Sequence, residues 1–350
     1  MYFFDKLIKK EKISSLIKRY RDQLSEYQDD PFLSRIDFNI IEEIENSKES
    51  KIKKELEKLR NYIKEPFKLS FEENKLNLFS AYNEIHNIWF LIHKGLNVEK
   101  IKERKGIQTP DYCIHIDNSK FYLELKTETF VNHVKNYSKM AENSFNAKID
   151  SEEQRKNGYS IIMTSYSTNP YDSEYGTYNY ETATLLIEKI NNQLKFGQIE
   201  CDKSRKNTNS FLLIDLRLLG PICTEDCFLK PLFSEIDNRT KENFFLSNQL
   251  WITCLGKKNE KLKLLKGSYY EWCPISEPLW EEKTLQVNGI LRDYSELQGL
   301  IFQTEYLCNS SFKYIGYSIH NNARTKMFMK QLCDSYIIYD IHHEKVVEIV

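Results

Sequence analysis

Twelve residues separate Pro110-Asp111 from Glu124-Leu125-Lys126, and this set of side chains could hydrolyse a phosphodiester with the help of a metal ion. Side chains alternate across a strand, so Glu124 and Lys126 share one face and Leu125 points to the other. Their setting, PDYCIHIDNSKFYLELKT, is two short runs rich in β-branched and aromatic residues around a polar tip, the pattern of a β-hairpin. If the chain turns between Asn118 and Ser119, Asp111 faces Lys126 and lies diagonal to Glu124 on the same face. A three-residue turn would shift the pairing by one and send Asp111 to the other face unless a bulge restored it. Two carboxylates held together repel, and burying them is costly unless a cation is present. Magnesium suits oxygen ligands and keeps waters for a substrate phosphate or a nucleophile. A lysine beside it can orient a water, help it lose a proton, or stabilise charge on a phosphate in the transition state. This is the equipment of metal-assisted phosphodiester hydrolysis.

The elements that must position these groups are legible around them. NLFSAYNEIHNIWFLIHKG has Ala81, Ile85, Ile88 and Ile92 on one face of a 100° wheel, with Trp89 extending it and Gly95 as terminator, and predicts an amphipathic helix. Glu84 lies on that wheel between Ile88 and Leu91, at the border of the buried face. After the hairpin, ETATLLIEKINNQLK predicts a second amphipathic helix through Ala183, Leu186, Ile187, Ile190 and Leu194, with Gln193 close to Leu186. FLLIDLRLLG is a nearly continuous apolar run, as in a strand buried on both faces of a helix-covered sheet.

On these residues the chain resembles the PD-(D/E)XK nuclease superfamily. The resemblance covers about residues 71 to 220. It implies an α/β fold of the restriction-endonuclease-like type, a mixed sheet flanked by helices. It also implies that Asp111 and Glu124 bind Mg2+, with Mn2+ as a substitute, and that Leu125 lends its main-chain carbonyl. Lys126 would serve the attacking water, Glu84 would join the catalytic group from the preceding helix, and Gln193 would contact substrate. A long polar insertion after Lys126 departs from minimal family members. The plainer reading of the same residues is a solvated strand face carrying Glu124 and Lys126, with Asp111 capping a turn.

The chain of 350 residues divides by pattern into a helical N-terminal region (1–70), a nuclease core (71–222) and a strand-rich C-terminal region (223–350). In the first, apolar residues recur at helical spacing at Phe4, Leu7 and Ile8 and at Ile52, Leu56, Leu59 and Ile63, and Pro31 and Pro66 separate the helices. Acidic and basic residues alternate there, which suits an assembly surface for a homo-oligomer or a partner protein. The insertion carries Tyr159, Tyr166, Tyr171, Tyr175, Tyr178 and Tyr180 and one strand-like run, YSIIMTS. Substrate contact and ordinary loop packing are both open for its tyrosines. In the last region LWITCLG, LQVNGILRD, GLIFQTEYL, KYIGYSI and SYIIYDI are strand candidates, either of a second domain or of the same sheet. Lys257, Lys258, Lys261, Lys263 and Lys266, followed by Tyr269, Tyr270 and Trp272, form the best local basic patch, read either as a phosphate-binding track or as a solvated hairpin. Cys223, Cys227, Cys254 and Cys273 match no common zinc spacing, and alternation puts His342 and His343 on opposite faces of a strand.

Composition limits the function classes. There are 50 basic and 51 acidic residues, so a uniformly cationic nucleic-acid binder is excluded and any phosphate contact must be local. Hydrophobic residues at 41% and aromatics at 13% supply a sizeable core, and no apolar stretch is long enough for a membrane span. No signal peptide is apparent at the N-terminus and the eight cysteines are scattered, which sets the expectation of a cytoplasmic protein with reduced thiols. The expected activity is magnesium-dependent cleavage of DNA, and the resemblance to the nuclease superfamily implies an endonuclease of a prokaryotic or phage restriction, defence or mobile-element system. The alternatives are a catalytically silent nucleic-acid- or protein-binding module on the same fold, and an assembly subunit acting through the N-terminal helices.

Overall fold

Apolar residues at helical spacing build the N-terminal helices: Ile13, Leu16 and Ile17 are buried on α1 (Ile13–Gln23), and Ile41 and Ile44 on α2 (Phe38–Asn46). Leu56, Leu59 and Ile63 do the same on α3 (Lys53–Lys64). The computed structural model describes residues 11–23, 36–47, 49, 52–64, 71–102, 109–128, 146, 149–158, 180–194, 209–217, 246–259, 285–305 and 312–350. Phe4, Leu7, Ile8, Pro31, Pro66, the YSIIMTS run, Tyr159 to Tyr178, Cys223, Cys227, Cys273 and the patch from Lys261 to Trp272 lie outside the described residues. The chain forms two compact units, Met1–Glu99 with Tyr137–Tyr166, and Lys100–Asn136 with Ser167–Val350.

The first unit is held by helix packing and by caps. Asp37 caps α2, accepting from the N–H groups of Asn39 at 2.8 Å and Ile40 at 3.3 Å. The Glu45 carboxylate, on α2, takes the Ile13 N–H and both the N–H and hydroxyl of Ser14, so a negative charge sits at the positive end of α1. α4 (Phe71–His93) ends at Gly95, whose φ of +76° lets Gly95 N–H reach Ile92 O and Leu96 N–H reach Leu91 O, a Schellman cap. The sequence predicts one apolar stripe on this helix, yet Asn83, His86 and Asn87 are buried as well. Asn87 satisfies itself within the helix, donating to Asn83 O at 3.0 Å and Asn83 Oδ1 at 2.7 Å.

The chain forms a mixed sheet, and the protein is α/β. Eight strands lie in chain order: β1 (Asn97–Lys100), β2 (Tyr112–Ile116), β3 (Ser119–Thr127), β4 (Ser210–Asp215), β5 (Gly299–Glu305), β6 (Phe312–Ser318), β7 (Ser335–Asp340) and β8 (Lys345–Ile349). β3, β4 and β5 run parallel, as do β6 and β7, whereas β2–β3, β5–β6 and β7–β8 are antiparallel. The C-terminal strands therefore continue the sheet that carries the hairpin.

Parallel neighbours need crossovers, and helices supply them. α5 (Tyr180–Gln193) lies between β3 and β4; α6 (Leu246–Leu255) and the single turn α7 (Ile290–Asp293) lie between β4 and β5; α8 (Ala323–Leu332) joins β6 to β7. Leu186, Ile187 and Ile190 of α5 and Leu250, Ile252 and Leu255 of α6 share one core with Leu212, Ile214, Leu300, Phe302, Ile315 and Ile337. On the opposite face Phe328 of α8 stacks on Phe211 at 4.0 Å and meets Phe121 at 4.9 Å. α8 comes so close that a Cβ at Gly316 would lie 2.7 Å from Cys333 Sγ and 2.9 Å from Met329 Sδ, so a larger residue there would have to displace those side chains.

Two strand expectations are corrected. LWITCLG is the end of α6, and LQVNGILRD is an irregular turn leading into α7. The first is apolar on nearly every side because residues 250–255 of α6 are buried nearly all round, and such a run does not distinguish strand from helix. The second packs backbone to backbone: a Cβ at Gly289 would stand 2.6 Å from the Cys254 carbonyl carbon, and Gly289 N–H donates to Gly256 O. His342 and His343 likewise lie in the turn 341–344 and not on a strand. There His343 Nδ1 is 2.6 Å from Asp340 Oδ2, and its hydrogen bonds hold the Asp340 carboxyl down at about 2.

Candidate active site

The hairpin closes through Asp117 and Asn118, with Ile116 paired to Ser119 and Asp117 at φ +49°, the left-handed conformation that tight hairpin turns use. The turn thus falls one residue earlier than expected, and the pairing runs Tyr112 to Leu123 and Cys113 to Tyr122. Continued by one residue, this register sets Asp111 opposite Glu124 instead of Lys126. The change amounts to two residues, so alternation is preserved and Asp111, Glu124 and Lys126 stay on one face. Glu124 and Lys126 pair with Leu212 and Ile214 of β4, which places them on the face covered by α5.

Asp111 Oδ2 accepts the Leu125 N–H at 2.9 Å, so the edge of β3 beside Asp111 carries that residue's main-chain groups. N–H and C=O of one strand residue point the same way, and the cross-strand neighbour here, Pro110, has no N–H to give the Leu125 carbonyl. Glu124 is only 4% exposed. Its Oε1 takes the Lys126 ammonium at 2.5 Å, while Oε2 is buried with no hydrogen-bond partner. Burial and then the Asp111 charge push the Glu124 carboxyl from 4.5 up to about 7, against the lowering effect of Lys126 and of the Asp111 main chain. The buried orphan oxygen, the second carboxylate and the Leu125 carbonyl would offer oxygen donors of the kind a hard divalent cation takes. Among the described residues no group of three His, Cys, Asp or Glu side chains is gathered, so the remaining ligands would be the Leu125 carbonyl, water and substrate oxygens.

This charge arrangement has a direct consequence for stability without metal. The folded chain retains a Glu124 proton up to about pH 7, whereas the unfolded chain releases it near 4.5, so stability falls as pH rises through that window. In chelator, the melting temperature of the wild type should fall across this range more steeply than that of Glu124→Gln. Equal slopes would mean that Glu124 is ionised throughout.

Glu128, next on the same face after Lys126, is fully buried. Its N–H donates to Asp215 O at 2.9 Å, which pins it beside β4. Lys189 reaches its Oε2 at 3.0 Å and Gln193 donates to the same atom at 3.5 Å, both from α5. Burial raises the Glu128 carboxyl and lowers the Lys189 ammonium, each partly offset by the other's charge. Gln193 therefore faces the end of the strand that bears Lys126. Glu128 and Lys189 were readable only as a pattern: Glu124-x-Lys126-x-Glu128 keeps strand period, and Lys189 precedes Gln193 by one helical turn.

The sequence also points to Glu84, Lys257, Lys258 and Lys261. Glu84 belongs to the first unit, where Lys58 of α3 stands 3.4 Å from its carboxylate and 2.8 Å from Glu55. Lys257 and Lys258 follow α6 as exposed residues; Lys258 N–H donates to Asn288 Oδ1, and the Lys257 charge acts on Glu344 in the β7–β8 turn. β7 is four strands from β3, on the order of 19 Å at a strand spacing of about 4.8 Å. Lys261 lies outside the described residues. On the other face of the sheet, Asp215 and Arg217 form a wholly buried ion pair at 2.8 Å, with the Arg217 N–H and Nε also donating to Asp215 Oδ1.

Comparison with protein-family models, with curated proteins and with solved structures finds no match to this chain. Among the described residues no helix is long and apolar enough to cross a membrane.

Proposed function

We propose that the chain is a magnesium-dependent deoxyribonuclease of the PD-(D/E)XK type, with Asp111, Glu124 and Lys126 as its catalytic group. The observation that carries this reading is the buried Glu124 Oε2 with no hydrogen-bond partner, on a residue that the hairpin register sets opposite Asp111 and whose Oε1 holds the Lys126 ammonium. The order of hairpin, crossover helix and buried parallel strand is what a restriction-endonuclease-like core requires, and it supports the same reading. Asp111, Glu124 and the Leu125 carbonyl would hold Mg2+, or Mn2+ in its place. The ion supplies Lewis acidity toward phosphate oxygens and acidity to a bound water. Lys126 contributes a positive charge where the nucleophile forms and where charge gathers on the phosphate. Glu124 and Asp111 keep that lysine and any bound cation on one side of β3. The setting proposed is a prokaryotic restriction, defence or mobile-element system.

Supercoiled plasmid separates the outcomes. Nicking or linearisation that needs Mg2+ or Mn2+ and stops in chelator supports an endonuclease. DNA retention without cleavage would favour a silent binding module instead.

A further inference from the structure

Lys126 has two carboxylates along its own strand face, and the nuclease reading uses only one. Glu124, two residues before it, accepts the ammonium at 2.5 Å. Glu128, two residues after it, is fully buried, and the Lys126 charge acts on it. The two oxygens of Glu128 are unequal: Oε2 is fixed by Lys189 and Gln193, whereas Oε1 is buried with no hydrogen-bond partner. A buried carboxylate with one open oxygen is costly to maintain unless a donor reaches it. Its backbone is anchored to β4, and its side chain is anchored by α5, so its position is set independently of Lys126.

We propose that Glu128 is a positioning residue for Lys126: its open oxygen receives the ammonium when Glu124 is engaged by a cation, and Lys189 and Gln193 hold it in place to do so. Lys126 then keeps to the Asp111–Glu124 side of the strand and does not swing into solvent. The inference rests on the nuclease reading for its catalytic consequence but not for its geometry. Glu128 touches no reacting atom in this scheme and acts through Lys126.

The test is a double-mutant cycle combined with a labelling measurement. In the wild-type background Glu128→Gln is expected to lower kcat for DNA cleavage by roughly tenfold to a hundredfold, with KM little changed. In a Lys126→Ala background it should cost nothing further, because the residue it positions is gone. An equal loss in both backgrounds, or none in the wild type, overturns the proposal. Acylation of Lys126, followed by mass spectrometry with exposed Lys120 as the internal standard, reads the same contact without catalysis. In magnesium, Lys126 of Glu128→Gln should label several-fold faster than in the wild type, and unchanged labelling overturns the proposal. If Glu128→Gln fails to fold, Lys189→Gln takes its place, with the same expected loss and the same non-additivity. A wild type that never cleaves DNA would sink the nuclease reading, while the labelling result would still decide the positioning role.

Discussion

Glu124→Gln and Asp111→Asn are expected to abolish both magnesium-dependent cleavage and most of the stabilisation that magnesium confers. Each would remove a charged oxygen ligand from the proposed metal site, where two acidic side chains are placed among the described residues. At a magnesium concentration about a hundredfold above its dissociation constant, linkage adds about 2.7 kcal/mol to a protein that binds the ion only when folded. For a chain of this size that corresponds to several degrees in melting temperature. Glu124→Gln also relieves the repulsion with Asp111, so its metal-free form should melt higher than the metal-free wild type near neutral pH. The variant is then more stable and inactive, a combination that simple misfolding cannot produce. Differential scanning calorimetry with and without magnesium checks it, and a full magnesium shift in either variant would remove these carboxylates from the metal site.

Lys126→Ala is the second large effect, and its sign on metal binding is the opposite. Lys126 is the positive charge hydrogen-bonded to Glu124, so its loss frees Oε1 and removes a cation that competes with the metal. Magnesium should bind as tightly as in the wild type or more so. Cleavage should nevertheless fall by roughly a hundredfold or more, the scale of losing a general acid–base or electrostatic group. A lysine with only a structural role gives the reverse pattern, lower stability with cleavage retained. Isothermal titration with magnesium and a cleavage time course on the same preparation distinguish the two.

The site was readable where a short-range rule governs it. Strand alternation placed Glu124 and Lys126 on one face, and the continuous apolar run at Phe211–Ile214 marked a strand buried on both faces. The register was not readable to the residue, because Asp117-Asn118 and Asn118-Ser119 are both acceptable turn pairs and only the folded chain selects one. That the error was two residues and not one is why the carboxylates stayed together. Partners distant in sequence were beyond reach: nothing near Glu128 announces Lys189, 61 residues later, and nothing near Glu84 announces Lys58. The second half of α6 reads as a strand because residues 250–255 are buried nearly all round, which erases the helical period. α8 and β8 had no counterpart among the expectations, and each is held by tertiary contacts: α8 by Phe211 and Phe121, β8 by its pairing to β7.

The most direct test of the central claim is one cleavage assay. Purified wild type and Lys126→Ala are incubated with supercoiled plasmid and with linear DNA, in magnesium and in chelator. The account predicts conversion of the DNA by the wild type in magnesium alone, and a rate lower by about two orders of magnitude or more for Lys126→Ala under the same conditions. Cleavage by Lys126→Ala at the wild-type rate would contradict it, as would a wild type that leaves both substrates intact in magnesium.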